Sequence, residues 1–262
     1  MTAKIVIVLL MLNFYPNSIK GNETSDFFEM QKLEVGIMDE RFKTIVGNKI
    51  NLDEEYLQII LADMAKIIGK ESQKKRFNKS QYFVYIDRNP KKQLVFLCFY
   101  DALTKNIRII GADKTSTGNP KRKGHFITPT GVFENSVKNF NYRALGTKND
   151  QGWRGLGIKG SRVWDFGWQE TNYKSGKRYI RLLMHATDPN YGEPRLGKVD
   201  SKGCIRISAK FNKFLDYYGV LDADYERNKK SKSVLWLLKH NREPVLFAGQ
   251  YLITGDSSSP NT

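Results

Sequence analysis

Two short apolar runs constrain this chain most. They are Tyr82-Phe83-Val84-Tyr85-Ile86 and Leu94-Val95-Phe96-Leu97-Cys98-Phe99-Tyr100, separated by the turn-forming Asn89-Pro90-Lys91-Lys92. Runs rich in aromatic and β-branched residues, bounded by turn residues, read as strands. The second has no polar break, as in a strand buried in a core, so Cys98 reads as an inert core thiol. Further strands are expected at 106–111, 130–133, 163–166 and 179–184, and a helix at 209–218. Segments 233–238 and 245–247 supply closing strands or a short helix. Short strands with close turns predict an α+β fold with a mixed, mostly antiparallel β sandwich or barrel.

Upstream of the strands the pattern is helical. Tyr56, Leu57, Ile59, Ile60, Leu61, Met64, Ile67 and Ile68 recur at spacings of three and four. Asn51 or Asp53 is placed to cap that helix, with Glu54 and Glu55 in its first turn. An earlier helix is expected around 27–46, ending near Gly47-Asn48. Residues 23–79 thus form a helical extension, with the basic stretch 70–79 as a hinge or solvated surface. Residues 80–254 form the main domain and 255–262 a disordered tail. In segment 1–22, Lys4 precedes an apolar run at 5–12 and a polar stretch, the pattern of a secretory signal or a retained N-terminal anchor. That run is short for a bilayer span.

Lys and Arg number 43 against 27 Asp and Glu, a formal charge of +16 that implies an anionic partner. Nucleic acid is not favoured, because no reading element, P-loop or zinc-ligand spacing is visible. Anionic envelope polymers would attract the same charge. A membrane would be met only through an uncleaved N-terminal segment.

The chemistry concentrates at Ser201-Lys202-Gly203-Cys204-Ile205-Arg206, with His185 upstream. A thiolate attacks acyl carbons well and a thiol poorly, so a nucleophilic cysteine needs a base and an electropositive setting. His185 is the candidate base, and Lys202 and Arg206 would favour the thiolate. Gly203 permits a tight turn, and its N–H with that of Cys204 would form an oxyanion hole. The competing reading makes Cys204 a buried hydrophobe in an ordinary strand. A Cys98–Cys204 disulfide, which an oxidising compartment permits, would consume the thiol. His125 is the rival base or a substrate contact, and His240 the weakest candidate.

A histidine, a gap, then Ser-x-Gly-Cys-x-Arg is similar to the signature of the L,D-transpeptidase (YkuD-like) catalytic domain. Thr128-Pro129-Thr130-Gly131-Val132-Phe133 resembles that family's Thr-Pro-x-Gly-x-Phe hairpin. The resemblance covers about residues 80–220. It departs at Lys202, where the family usually has histidine. It implies Cys204 as nucleophile and His185 as base, oriented by a backbone carbonyl that by position is that of Ala186. Ser201 matches a family Ser or Thr position and would brace the loop. Arg206 either anchors that loop or binds a substrate carboxylate, and Lys202 either binds substrate or is exposed.

The function implied is transfer of a peptidoglycan tetrapeptide stem to an amine, with loss of D-alanine, at the cell surface or in the periplasm. No metal or organic cofactor is implied. Water as acceptor would make an L,D-carboxypeptidase or a crosslink-cleaving hydrolase. A silent envelope-binding module is the non-enzymatic alternative. Asp188 to Gly197 is expected to form a substrate-side loop. Trp153, Trp164, Trp168 and Tyr191 either line a cleft for a polymer or pack in the core and loops.

Overall fold

The two apolar runs are antiparallel neighbours, β1 (Gln81–Asp87) and β2 (Leu94–Tyr100), in a computed structural model describing residues 21–47, 50–173 and 176–258. Alternate side chains divide between two cores. Tyr82, Val84, Ile86, Val95, Leu97 and Phe99 face one, and Phe83, Tyr85, Phe96, Cys98 and Tyr100 the other. Both faces are covered, which is why neither run alternates with polar residues.

Two N-terminal helices supply the cover. Helix α1 (Gly21–Ile45) buries Val35, Met38 and Phe42, spaced three and four apart, in the first core. The Phe42 ring lies against Gly111, where any Cβ would come within 2.2 Å of it. Helix α2 (Glu54–Ser72) buries Tyr56, Ile60, Met64 and Ile68 in the second core. Each such side chain contributes about 1.5–3 kcal/mol by leaving water. Asp53 caps α2 by accepting the Glu55 N–H at 3.0 Å. The basic stretch after α2 is anchored rather than a hinge. Glu71 holds Lys74 and Arg76 at 2.8 Å each, and Phe77 is buried against Phe83, Tyr100 and Tyr251.

The remaining described strands are β3 (Ile107–Ser116), β4 (Gly131–Glu134), β5 (Tyr142–Arg143), β6 (Arg162–Tyr173), β7 (Gly176–Ala186), β8 (Ile205–Ile207) and β9 (Tyr251–Gly255). They join β1 and β2 in one mixed, mostly antiparallel sheet of order β4-β9-β1-β2-β3-β8-β7-β6-β5. Its edge strands β4 and β5 do not meet, so it curls as a half-barrel. The fold is the expected α+β, barrel-like one with N-terminal helices. Parallel pairing occurs at β1 with β9 and at β7 with β8. Helix α3 (Ala209–Tyr217) follows β8, capped by Ser208 through the Phe211 N–H, and its Phe211 and Phe214 meet Phe42 edge-on. Two short helices, α4 (Ala223–Arg227) and α5 (Lys232–Leu237), follow.

Of the closing strands or short helix expected late in the chain, segment 233–238 supplies the helix, α5. Segment 245–247 supplies neither, and the late strand is instead β9, parallel to β1. The tail is bonded where it begins: Asp256 meets Arg88 at 3.0 Å, and the Ser257 hydroxyl donates to Asp87 at 2.6 Å. Residues 259–262 lie outside the described residues. So does the apolar run at 5–12 read as a signal or anchor. No helix among the described residues is long and apolar enough to cross a membrane.

Candidate functional site

Strands β7 and β8 run parallel with Met184 level with Ile205 and His185 level with Arg206. Leu182, Met184, Ile205 and Ile207 point into the first core. Alternation therefore turns Leu183, His185, Arg206 and the preceding Cys204 to the opposite face. The Leu183 backbone N–H donates toward the Cys204 sulfur. Cys204 is free and partly exposed, whereas Cys98 is free and fully buried beside Met64. No disulfide joins them.

His185 is buried, with Nδ1 at 2.6 Å from the Ala186 carbonyl oxygen. A carbonyl only accepts, so Nδ1 carries the proton and the neutral ring keeps its Nε2 lone pair. Burial, reinforced by the Arg206 charge and opposed by the Ala186 hydrogen bond, pushes the His185 pKa down to about 4. Burial raises the Cys204 pKa, and the negative field of Asp165 adds to it. The Leu183 N–H and Arg206 work in the opposite direction. The resting pair is thus a neutral thiol and a neutral imidazole, not the preformed thiolate that cationic neighbours suggested.

The loop before Cys204 is braced from both sides. Ser201 Oγ accepts the Gly203 N–H at 3.0 Å and donates to the Cys204 carbonyl at 2.5 Å. Thr128 Oγ1 donates to the Gly203 carbonyl and accepts the Gly118 N–H, both at 2.8 Å. The two sequence motifs, some 75 residues apart, therefore form one hydrogen-bonded unit. Gly203 has φ +132°, and a Cβ there would come within 2.9 Å of Ile180 Cδ1. The positive φ is what favours glycine here, since the Ile180 methyl sits at the end of a side chain that can turn aside. The expected oxyanion-hole role of the Gly203 N–H is not available, because Ser201 already occupies it.

Arg206 is an anchor. Its side chain is mostly buried and meets Asp200 at 3.2 Å, where Arg195 (2.7 Å) and Arg122 (2.8 Å) also converge. His125 Nδ1 lies 2.9 Å from the Ser201 carbonyl oxygen, so that nitrogen is engaged by the backbone of the cysteine loop. His240 lines a separate surface cavity with Glu226, Lys229 and Leu235. Lys202 is exposed, contrary to the expectation that it favours the thiolate; the cation whose field reaches the sulfur is Arg206. Exposed charges are screened over about 8 Å in physiological salt, so Lys202→Glu is expected to change turnover less than about twofold. A large loss on measuring turnover of that variant would return Lys202 to the site.

Two residues near the sulfur escaped the sequence reading. Tyr142 on β5 is half-buried, and its pKa is raised by burial and by the charge of Asp165, with Cys204 adding to this once it is ionised. Asp165 is fully buried and bound to Arg181 at 2.7 Å. Neither lies in a motif; only strand pairing brings β5 and β6 beside β7. Of the aromatic residues named as cleft candidates, Trp164 is core. Trp153 and Tyr191 stack at 5.9 Å with Arg195 over Trp153 at 4.7 Å, and Trp168 is exposed. Asp188 ties the loop after β7 to Arg154 by accepting its backbone N–H at 3.0 Å. Among the described residues, no group of three His, Cys, Asp or Glu side chains is placed to hold a metal ion.

No family model matches the chain, and no curated protein matches it. Among solved structures it is similar to a point mutant of the helical cell shape determining protein Pgp2 from Campylobacter jejuni. That match has 15% identity and a TM-score of 0.33, covering 68% of this chain and 48% of that one. It is also similar to Bdellovibrio bacteriovorus Bd1075, with 13% identity, a TM-score of 0.32, and 68% and 48% coverage. The match thus spans about half the length of either structure.

Proposed function

We propose that the chain is a cysteine acyltransferase of peptidoglycan stem peptides, an L,D-transpeptidase in its reaction. The observation that carries this reading is the tautomer of His185. Its Nδ1–H is committed to the Ala186 carbonyl, so Nε2 is left as a base on the same sheet face as the Cys204 thiol. With the thiol pKa raised, His185 acts during attack rather than before it.

Cys204 Sγ attacks the carbonyl carbon of the third stem residue while His185 Nε2 takes the thiol proton. An S–C bond forms, and the carbonyl oxygen becomes an oxyanion in the field of Arg206, whose charge already reaches the sulfur. Collapse breaks the C–N bond to the terminal D-alanine, and His185 returns the proton to that amine. An acceptor amine then attacks the thioester, His185 accepts its proton, and the thiolate leaves and is reprotonated. The chemistry needs no group beyond these side chains and the acceptor.

Incubating the full chain with a disaccharide-tetrapeptide and weighing the products tests the reading. The expected product is a crosslinked dimer that has lost one alanine. A tripeptide monomer would mean that water is the acceptor. Absence of any product or covalent adduct would overturn the acyl-transfer reading.

A further inference from the structure

Strand β7 carries Tyr179, Arg181, Leu183 and His185 on one face, with Ile180, Leu182 and Met184 buried on the other. Across the hairpin, Trp168 on β6 is level with Arg181 and Glu170 with Tyr179. Trp168 and Tyr179 are both 66% exposed, on the face that continues into the thiol. The opposite face is tied down, since Thr171 Oγ1 donates to the Ile127 carbonyl. Two large aromatic side chains thus stand in solvent on a held ribbon that leads directly to Cys204.

Distance selects their occupant. The sulfur sits at the level of Leu183, whose N–H it accepts. At about 3.3 Å per residue, Arg181 and Trp168 lie about 7 Å along the ribbon from that level, and Tyr179 about 13 Å. A stem peptide attacked at its third residue reaches about 10 Å from that carbonyl back to the sugar that bears it. A stem that runs outward along the ribbon from the thiol sets its sugar over Trp168 and Tyr179. The neighbours fit a saccharide better than a protein. Glu170, paired with Lys177, is level with Tyr179, and Arg181 is level with Trp168, so polar groups that can hydrogen-bond hydroxyl and acetamido groups flank the rings. Protein interface cores are instead depleted of Lys and Glu.

We propose that Trp168 and Tyr179 form a stacking platform for the N-acetylated sugar carrying the donor stem, and this rests on the acyl-transfer reading. The test compares turnover of a disaccharide-tetrapeptide with that of the same tetrapeptide lacking sugar. Wild type is expected to prefer the sugar-bearing donor by about tenfold in kcat/KM, mainly through KM. In the double variant Trp168→Ala, Tyr179→Ala that preference should disappear. No preference in wild type, or an equal loss on both donors, would overturn the platform. If wild type turns over neither donor, the acyl-transfer reading fails and the platform is judged by binding alone. A peptide-free oligomer of the glycan strand should then change the tryptophan fluorescence of wild type but not of Trp168→Phe. Absence of saturable binding, or the same response in both, would overturn it.

Discussion

Cys204→Ser is expected to leave the protein folded and to abolish formation of the covalent acyl-enzyme. Serine removes little volume at a partly exposed position, and its oxygen can still accept the Leu183 N–H. Chemically the change is severe. A hydroxyl is far less acidic and less nucleophilic than a thiol, and His185 is a weak base with a pKa pushed down to about 4. Loss of a nucleophile of this kind costs at least about a thousandfold in rate. Intact mass after exposure to the tetrapeptide donor, or to a carbapenem such as inhibits the family this chain resembles, reads the outcome. Wild type should carry one adduct and the variant none. Equal adducts on both would place the nucleophile elsewhere. Cys98 would not supply it, because it is fully buried and burial raises its thiol well above the ordinary range.

Some parts of the fold were legible because local and tertiary demands agree. Strands β1 and β2 are covered on both faces, so burial writes itself as an unbroken apolar run. Helix α2 shows its core face, its cap and its acidic first turn within twenty residues of sequence. The outer half of the β6–β7 hairpin was not legible. Residues 176–179 are exposed, so their sequence carries no burial pattern. Strand β9 was missed because it gains its partners only by inserting between β4 and β1, a long-range event that leaves no turn signal nearby.

The candidate site divides in the same way. Residue types and order pointed to Cys204, His185, Ser201 and Gly203, because each has a chemical or conformational reason to be that residue. Which N–H remains free is a different kind of question. Gly203 has the right conformation for an oxyanion hole, yet the hydroxyl two residues earlier takes its proton. Lys202 and Arg206 are equivalent charges on paper. Strand alternation sends Arg206 to the thiol face, while Lys202 stays exposed. Tyr142 and Asp165 approach the sulfur only because β5, β6 and β7 are neighbours. Pairing decides such contacts, and one strand's sequence does not contain them.

His185→Gln is expected to slow alkylation of Cys204 near neutral pH, while His125→Ala leaves it nearly unchanged. His185 keeps Nε2 free on the sheet face that carries the thiol, whereas the Nδ1 of His125 is spent on the Ser201 carbonyl. The acid limb gives the sharper result. In the folded chain His185 protonates only at about 4, against 6.5 for an unperturbed ring. Its base function should therefore persist well below pH 6.5. The same difference couples to stability. Between these values the unfolded chain binds the proton and the folded chain does not, so stability falls as the pH drops from 6.5 toward 4. Below about 4 both states are protonated and this loss stops. Its full size is about 3 kcal/mol, from 1.36 kcal/mol for each pH unit of difference. Urea unfolding at pH 7 and pH 4.5 should thus show a loss in wild type that is smaller by about 2 kcal/mol or more in His185→Gln. Identical pH dependence in the two proteins would mean that His185 titrates normally. Its burial against Ala186 would then not set the protonation state on which base catalysis depends.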